Sequence, residues 1–186
     1  MYAYDFDKTI YDGDSTADFI TWCVRKKPSL AFRLIPGGVS FGGYLLKQWE
    51  KTRFKEKLYQ FLAGIPAVEA WVEEFWDSHQ ENIKSWYLAQ QKEDDVIISA
   101  SPEFLLRPIC ERLGIRHLLA SKVDIHTGMY LGINCHGEEK VRRFRQVFGD
   151  AAIEAFYSDS FSDAPMANIA QSAFLVDGDA LIPWED

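Results

Sequence analysis

"YDFDKTIYDGDS" (residues 4–15) follows the apolar run Met1-Tyr2-Ala3-Tyr4 and holds four aspartates, Asp5, Asp7, Asp12 and Asp14. The apolar run reads as a buried strand. Four like charges at the end of such a strand need a physical reason. In an open parallel sheet, ligands bind beyond the carboxyl ends of the strands. The stretch therefore marks the edge at which other strands should deliver reactive groups.

Further short apolar runs at 95–99, 117–120, 154–158 and 173–176 read as parallel strands. Helical patterns at 102–113, 138–148 and 164–171 separate most of them, the first two closed by Gly114 and Gly149. The alternation predicts an α/β fold, a three-layer Rossmann-like core with a parallel sheet. "SKVDIHTGMYLGINCHG" (121–137) reads as a small β-hairpin around Thr127-Gly128. Residues 15–91 contain no convincing strand. Within them, "VEAWVEEFWDSHQENIKSWYLAQQ" (68–91) sets Trp71, Phe75, Ile83 and Trp86 at helical spacing. The expected division is an α/β core of 1–14 and 92–186, with a helical cap of 15–91 inserted after the first strand.

The 186 residues are 47% hydrophobic and 15% aromatic, which indicates a folded chain with one sizeable core. Carboxylates begin at position 5, where a secretory signal would be apolar or basic. Cys23, Cys110 and Cys135 are scattered and form no CxxC. Free thiols in a reducing cytoplasm are the expectation. A net charge of −8 argues against nucleic acid as a partner. The charge is uneven, however: residues 15–60 carry nine Lys/Arg against three acids, so this segment is +6 and the remainder −14.

The groups that follow the other predicted strands complete the picture. Ser99 ends the second strand, with Ala100 and Ser101 next to it. Asp159 and Asp163 follow the fourth, and Lys140 opens a helix. Converging carboxylates repel one another unless a cation intervenes. A hard divalent ion with oxygen ligands, Mg²⁺, suits them and leaves room for an anionic substrate. A phosphate would use Lys140 as a point charge and donors from Ser99 to Ser101.

Asp-x-Asp-x-Thr at 5–9, Ser99, Lys140 and Asp159-x-x-x-Asp163 together resemble the four motifs of the haloacid dehalogenase (HAD) superfamily, in order and rough spacing along the whole chain. The cap position, with "SASPEFL" and "GEEKV", is similar to the subfamily IB, phosphoserine phosphatase-like branch. The resemblance implies a Mg²⁺-dependent phosphoric monoester hydrolase that works through an aspartyl-phosphate. Asp5 would be the nucleophile and Asp7 the general acid and base, with Thr9 orienting Asp7 and the phosphate-binding loop. Mg²⁺ would sit on Asp5, Asp7 and Asp159, with Asp163 holding a metal water or Lys140. Ser99 and Ala100 would bind the phosphate, and an alternative alignment promotes Ser101 instead. Lys140 would stabilise the transition state. Lys8 departs from the glycine found at its position in many members. Asp14 reads either as a contact to a substrate amine or as a helix N-cap. Asp12 has no assigned role, and the four histidines show no ligand spacing.

Three functions compete at this level. The first is hydrolysis of a small phosphorylated metabolite resembling phosphoserine. The second is hydrolysis of a lipid phosphate at a membrane surface: the basic cap, with its uncharged run at 34–46, is similar to phosphatidylglycerophosphatase C-like members. The third is a non-catalytic binding protein, which the intact set Asp5, Asp7, Lys140 and Asp159 argues against. Dehalogenase and phosphonatase chemistry fit less well.

Overall fold

The computed structural model describes residues 1–34 and 51–185, so most of the uncharged run at 34–46 lies outside the described residues. Among the described residues there are six strands: β1 (Tyr2–Tyr4), β2 (Val96–Pro102), β3 (His117–Ser121), β4 (Ala155–Ser158), β5 (Ala173–Asp177) and β6 (Ala180–Pro183). They form one sheet in the order β3-β2-β1-β4-β5-β6. The first five are parallel, and β6 runs antiparallel to β5. The chain moves from β1 outward through β2 and β3, then returns to place β4 on the other side of β1. That reversal is the switch point at which an open α/β sheet splays its loops apart and forms a crevice.

Alternation along the strands produces the three layers. Tyr4, Ile97 and Tyr157 are buried on one face. They meet α5 (Glu103–Arg112) and helices inserted between β1 and β2: α1 (Ser15–Lys26), α2 (Lys51–Tyr59), α3 (Val68–His79) and α4 (Ser85–Gln90). Ala3, Val96, Ile98 and Phe156 are buried on the opposite face, with Val141 and Phe144 of α6 (Glu138–Phe148) and Met166 of α7 (Ala164–Ala167). The inserted helices share one continuous apolar cluster with the sheet. Trp76 is fully buried and its Nε1–H donates to the Leu105 carbonyl at 2.6 Å, which joins α3 to α5. Burying such a ring contributes roughly 2–3 kcal/mol.

Several sequence expectations need correction. The periodic stretch at 68–91 is two helices, α3 and α4, and Ile83 lies in the break between them. Backbone pairing elsewhere outweighs helix propensity there: Ile83 forms an antiparallel bridge with Tyr11, and the Lys84 N–H donates to the Ile10 carbonyl at 2.8 Å. The last predicted helix, 164–171, ends as α7 at Ala167, because Ala170 bridges to Ile153 to lead the chain into β5. Strand β6 is absent from the sequence reading, although Asp177-Gly178 is a hairpin signal. The 121–137 hairpin is reduced to a single antiparallel bridge, Val123 to Tyr130. Its Gly128 sits at φ +74° so close to the inserted segment that an added Cβ would meet the Tyr59 backbone at 2.5 Å. Glycine is therefore required where this loop docks.

Among the described residues, no helix is long and apolar enough to cross a membrane. Cys23, Cys110 and Cys135 are free and buried.

Candidate active site

Short strands ending in polar residues bring the site together. The Asp5 N–H donates to the Tyr157 carbonyl at 2.9 Å, which aligns the end of β1 with the end of β4. Asp159, just past β4, donates its N–H to the Thr9 hydroxyl at 3.0 Å. On the other flank, β2 shifts register against β3 between Ser99 and Pro102. Such irregularities re-aim side chains, and here both Ser99 and Ser101 line the same crevice as Asp5. The result is a cavity of about 510 Å³ lined by Asp5, Asp7, Asp14, Ser99, Ala100, Ser101, Lys140, Asp159 and Asp163.

Lys140 is not a surface lysine. It is 2% exposed and bridges two carboxylates, with Nζ donating to Asp5 Oδ1 at 2.8 Å and to Asp163 Oδ2 at 2.7 Å. Burial alone would lower its affinity for a proton, but Asp5 and Asp163 outweigh that and hold the ammonium above its usual range. Asp163 is itself buried and also accepts from the Ser158 hydroxyl at 2.8 Å. It is placed to orient Lys140. Burial pushes the Asp5 carboxyl up to about 7. Lys140 opposes the rise, while Asp163 and Asp7 add to it.

Asp7 sits against the start of α1. Its Oδ1 accepts from the Ser15 N–H at 2.7 Å, and its Oδ2 accepts from the Ser101 hydroxyl. Burial raises its carboxyl, nearby Asp14 adds to the rise, and the hydrogen bonds from Ser101 and Ser15 oppose it. Asp14 is the N-cap of α1. Its Oδ1 caps α1 by accepting from the Ala17 N–H at 3.0 Å, and the residue also lines the cavity. Asp12 is exposed and stands outside the lining.

The structure gives two of these positions distinct contacts. Thr9 has no exposure and does not line the cavity. Its hydroxyl accepts from Asp159, so it ties two loops of the site together. Ser99 and Ser101 are distinct: Ser99 Oγ accepts from the Ser101 N–H at 3.1 Å, whereas Ser101 reaches Asp7. The cavity also has walls that the motifs did not reveal. Thr16, Ala17, Ile20 and Thr21 come from α1, and Lys55, Leu58 and Tyr59 from α2. Lys55 Nζ reaches the Ala100 carbonyl at 3.3 Å. The excess of basic residues at 15–60 was the one sequence signal pointing to it.

The donor set fits Mg²⁺. Among the described residues, no three His, Cys, Asp or Glu side chains form a closed metal cluster. Mg²⁺ does not require one, since it keeps several waters and uses one or two carboxylates. Asp5 and Asp159 are such a pair of hard oxygen donors on one wall of the cavity. Burial raises the Asp159 carboxyl beyond what the nearby Lys8 recovers, as expected of a carboxylate short of positive charge.

A parallel sheet with its switch point beside paired carboxylates and a buried lysine defines a Rossmann-like α/β hydrolase. The profile of haloacid dehalogenase-like hydrolases matches residues 3–168, and the chain belongs to that family. It is 30% identical over 191 aligned positions to the protein CicA of Caulobacter vibrioides, covering 91% of this chain and 82% of CicA. It is 24% identical to a histidinol-phosphatase of Neisseria meningitidis, covering 90% of this chain and 74% of that protein. A crystal structure of a Bordetella pertussis protein with unknown function superposes with a TM-score of 0.74 at 25% identity, covering 94% of this chain and 88% of that one. The fold is also that of a phosphoserine phosphatase solved as a phospho-aspartyl intermediate analogue: TM-score 0.55, 16% identity, 94% of this chain and 84% of that one.

Proposed function

We propose that the chain is a Mg²⁺-dependent phosphatase that hydrolyses a small phosphate monoester through an aspartyl-phosphate on Asp5. The observation that carries this reading is the Asp5–Lys140–Asp163 bridge facing Asp7 across one cavity. Lys140 engages Asp5 Oδ1 and leaves Oδ2 as the attacking atom. Oδ2 forms the bond to phosphorus as the bond to the ester oxygen breaks, and a proton from Asp7 neutralises the leaving alkoxide. Asp7, now ionised, takes a proton from the water that attacks phosphorus. The Asp5–phosphorus bond breaks, and Asp5 and phosphate are released. The raised carboxyl of Asp7 suits a group that must hold a proton and then return it. Lys140 and the Ser99–Ser101 segment face the phosphoryl oxygens. Asp5, Asp159 and the Asp7 backbone would hold Mg²⁺, which would supply positive charge for an anionic substrate.

Residues 15–91 act in this reading as a cap: α1 and α2 close the cavity opposite the strand ends. About 510 Å³ suits a small metabolite. Asp14 and Lys55 at its wall would meet an amine and an anionic or polar group. The relationship to a histidinol-phosphatase supports an amine-bearing phosphate ester. One observation favours a second reading, a lipid phosphate. Phe32 is 75% exposed beside the exposed Arg33, a pairing suited to an anionic membrane surface.

The test is phosphate release by the purified protein in Mg²⁺ and in EDTA. The substrates are an aryl phosphate, phosphoserine, histidinol phosphate, and phosphatidylglycerophosphate in anionic micelles. Mg²⁺-dependent release from the soluble esters is the expected result. Release from the lipid alone would establish the second reading, and no release from any of them would refute both. Asp159→Ala should weaken the apparent Mg²⁺ affinity about tenfold or more, read by titrating activity. An unchanged titration removes Asp159 from the metal site.

A further inference from the structure

One buried charge takes no part in this chemistry. Lys84 is 7% exposed and lies within the inserted segment, in the break between α3 and α4. Its Nζ donates to the Lys8 carbonyl at 2.8 Å and to the Gly178 carbonyl in the β5–β6 turn. Both of these partners are backbone carbonyls, not carboxylates. Burying an ammonium against carbonyls alone is costly, so its position calls for a compensating role.

Lys8 supplies that role. It is, among the described residues, the one non-glycine with positive φ, at +58°. Side chains rarely tolerate this left-handed conformation, and it persists only where the surroundings enforce it. The enforcing contacts are visible. The Lys8 N–H donates to the Gly13 carbonyl at 2.8 Å, and Lys84 clamps the Lys8 carbonyl from behind. The same stretch is also fastened by its backbone: Asp12 donates to the Asn82 carbonyl and Lys84 to the Ile10 carbonyl, both at 2.8 Å. Lys8 lies between Asp7, which faces the cavity, and Thr9, which anchors Asp159. The orientation of the Lys8–Thr9 peptide therefore governs both.

We propose that Lys84 is a positioning residue. Its ammonium holds the left-handed Lys8 turn, so that Asp7 and the Thr9–Asp159 contact take their working geometry only when the α3–α4 break of the inserted segment is seated. For its kinetic readout this rests on the phosphatase reading above.

The test is Lys84→Met, which keeps the aliphatic stem and removes the donors. With the aryl phosphate, kcat should fall at least tenfold while KM changes less than threefold. Amide exchange should accelerate at least tenfold in the peptide covering 6–13 and stay unchanged in the peptide covering 153–158. Adding Lys8→Gly should recover most of the lost kcat, because glycine adopts a φ of +58° without a clamp. A kcat within twofold of the parent would overturn the proposal, as would a loss that Lys8→Gly does not recover. If Lys84→Met is insoluble, Lys84→Arg replaces it, with a kcat loss of threefold or more at constant KM, again recovered by Lys8→Gly. If the parent releases no phosphate, the phosphatase reading fails, and the exchange comparison alone decides for or against Lys84.

Discussion

Asp5→Asn should lower phosphate release by about a thousandfold or more, because in the proposed reaction it replaces the atom that forms the bond to phosphorus. The fold should survive. The amide oxygen of the new side chain can still accept from Lys140, and the N–H of residue 5 still pairs with Tyr157. The change does leave the Lys140 ammonium with one carboxylate, Asp163, in place of two. Some stability is therefore lost, and the assay must be run below the variant's own melting temperature. Release within a few-fold of the parent, with the far-UV spectrum unchanged, would remove Asp5 as nucleophile. Mass spectrometry of the quenched parent with substrate should show a phosphoryl adduct on the peptide containing Asp5, and the variant should show none.

Asp7→Asn should separate activity from stability. Asparagine is isosteric: its oxygen can accept from Ser15, and its amide can donate to Ser101, so both existing contacts survive. It cannot carry a proton to a leaving oxygen. Turnover of an alkyl ester should fall about a hundredfold to ten-thousandfold, the usual range for a lost general acid and base. An aryl ester, whose leaving group needs less protonation, should lose less. Stability should move the other way. Burial and Asp14 raise the Asp7 carboxyl, so the folded state binds that proton more tightly than the unfolded chain does. The stability this group contributes is present at low pH and is lost as pH rises through its raised folded pKa. In EDTA at pH 8, Asp7→Asn should therefore melt about 2–4 °C above the parent, the shift that ~1 kcal/mol gives in a chain of this size. The gap should close as pH falls toward the ordinary carboxylate range. A variant no more stable than the parent at pH 8 would show that Asp7 is not under electrostatic stress.

These two residues illustrate what was readable in advance. Asp5 and Asp7 follow a short apolar run, and the end of a parallel strand is where such a site must lie. Ser99, Asp159 and Asp163 follow from the same rule, Lys140 from its place at a helix start, and all four line one cavity. Asp14 was legible as a cap because capping is local. The tie from Thr9 to Asp159 was not legible, because the two residues are 150 positions apart in the chain. The break at Ile83 was hidden for a similar reason, since Tyr11 provides the pairing that interrupts the helix.

The sequence by itself determined the α/β class, the order of the first five strands along the chain and the set of polar groups, Asp5, Asp7, Ser99, Lys140, Asp159 and Asp163, that gather at one sheet edge. Strand alternation, helical spacing and caps are imposed by nearest neighbours along the chain. Only the tertiary structure decided that Lys140 is buried between Asp5 and Asp163, and that Ser101, not Ser99, reaches Asp7. It also decided that Lys55 forms a wall of the cavity and that Lys84 clamps the loop behind Asp7. Each of these depends on which segments the strand order brings side by side. That order follows from burying both faces of the whole sheet at once, and no single stretch of sequence records it.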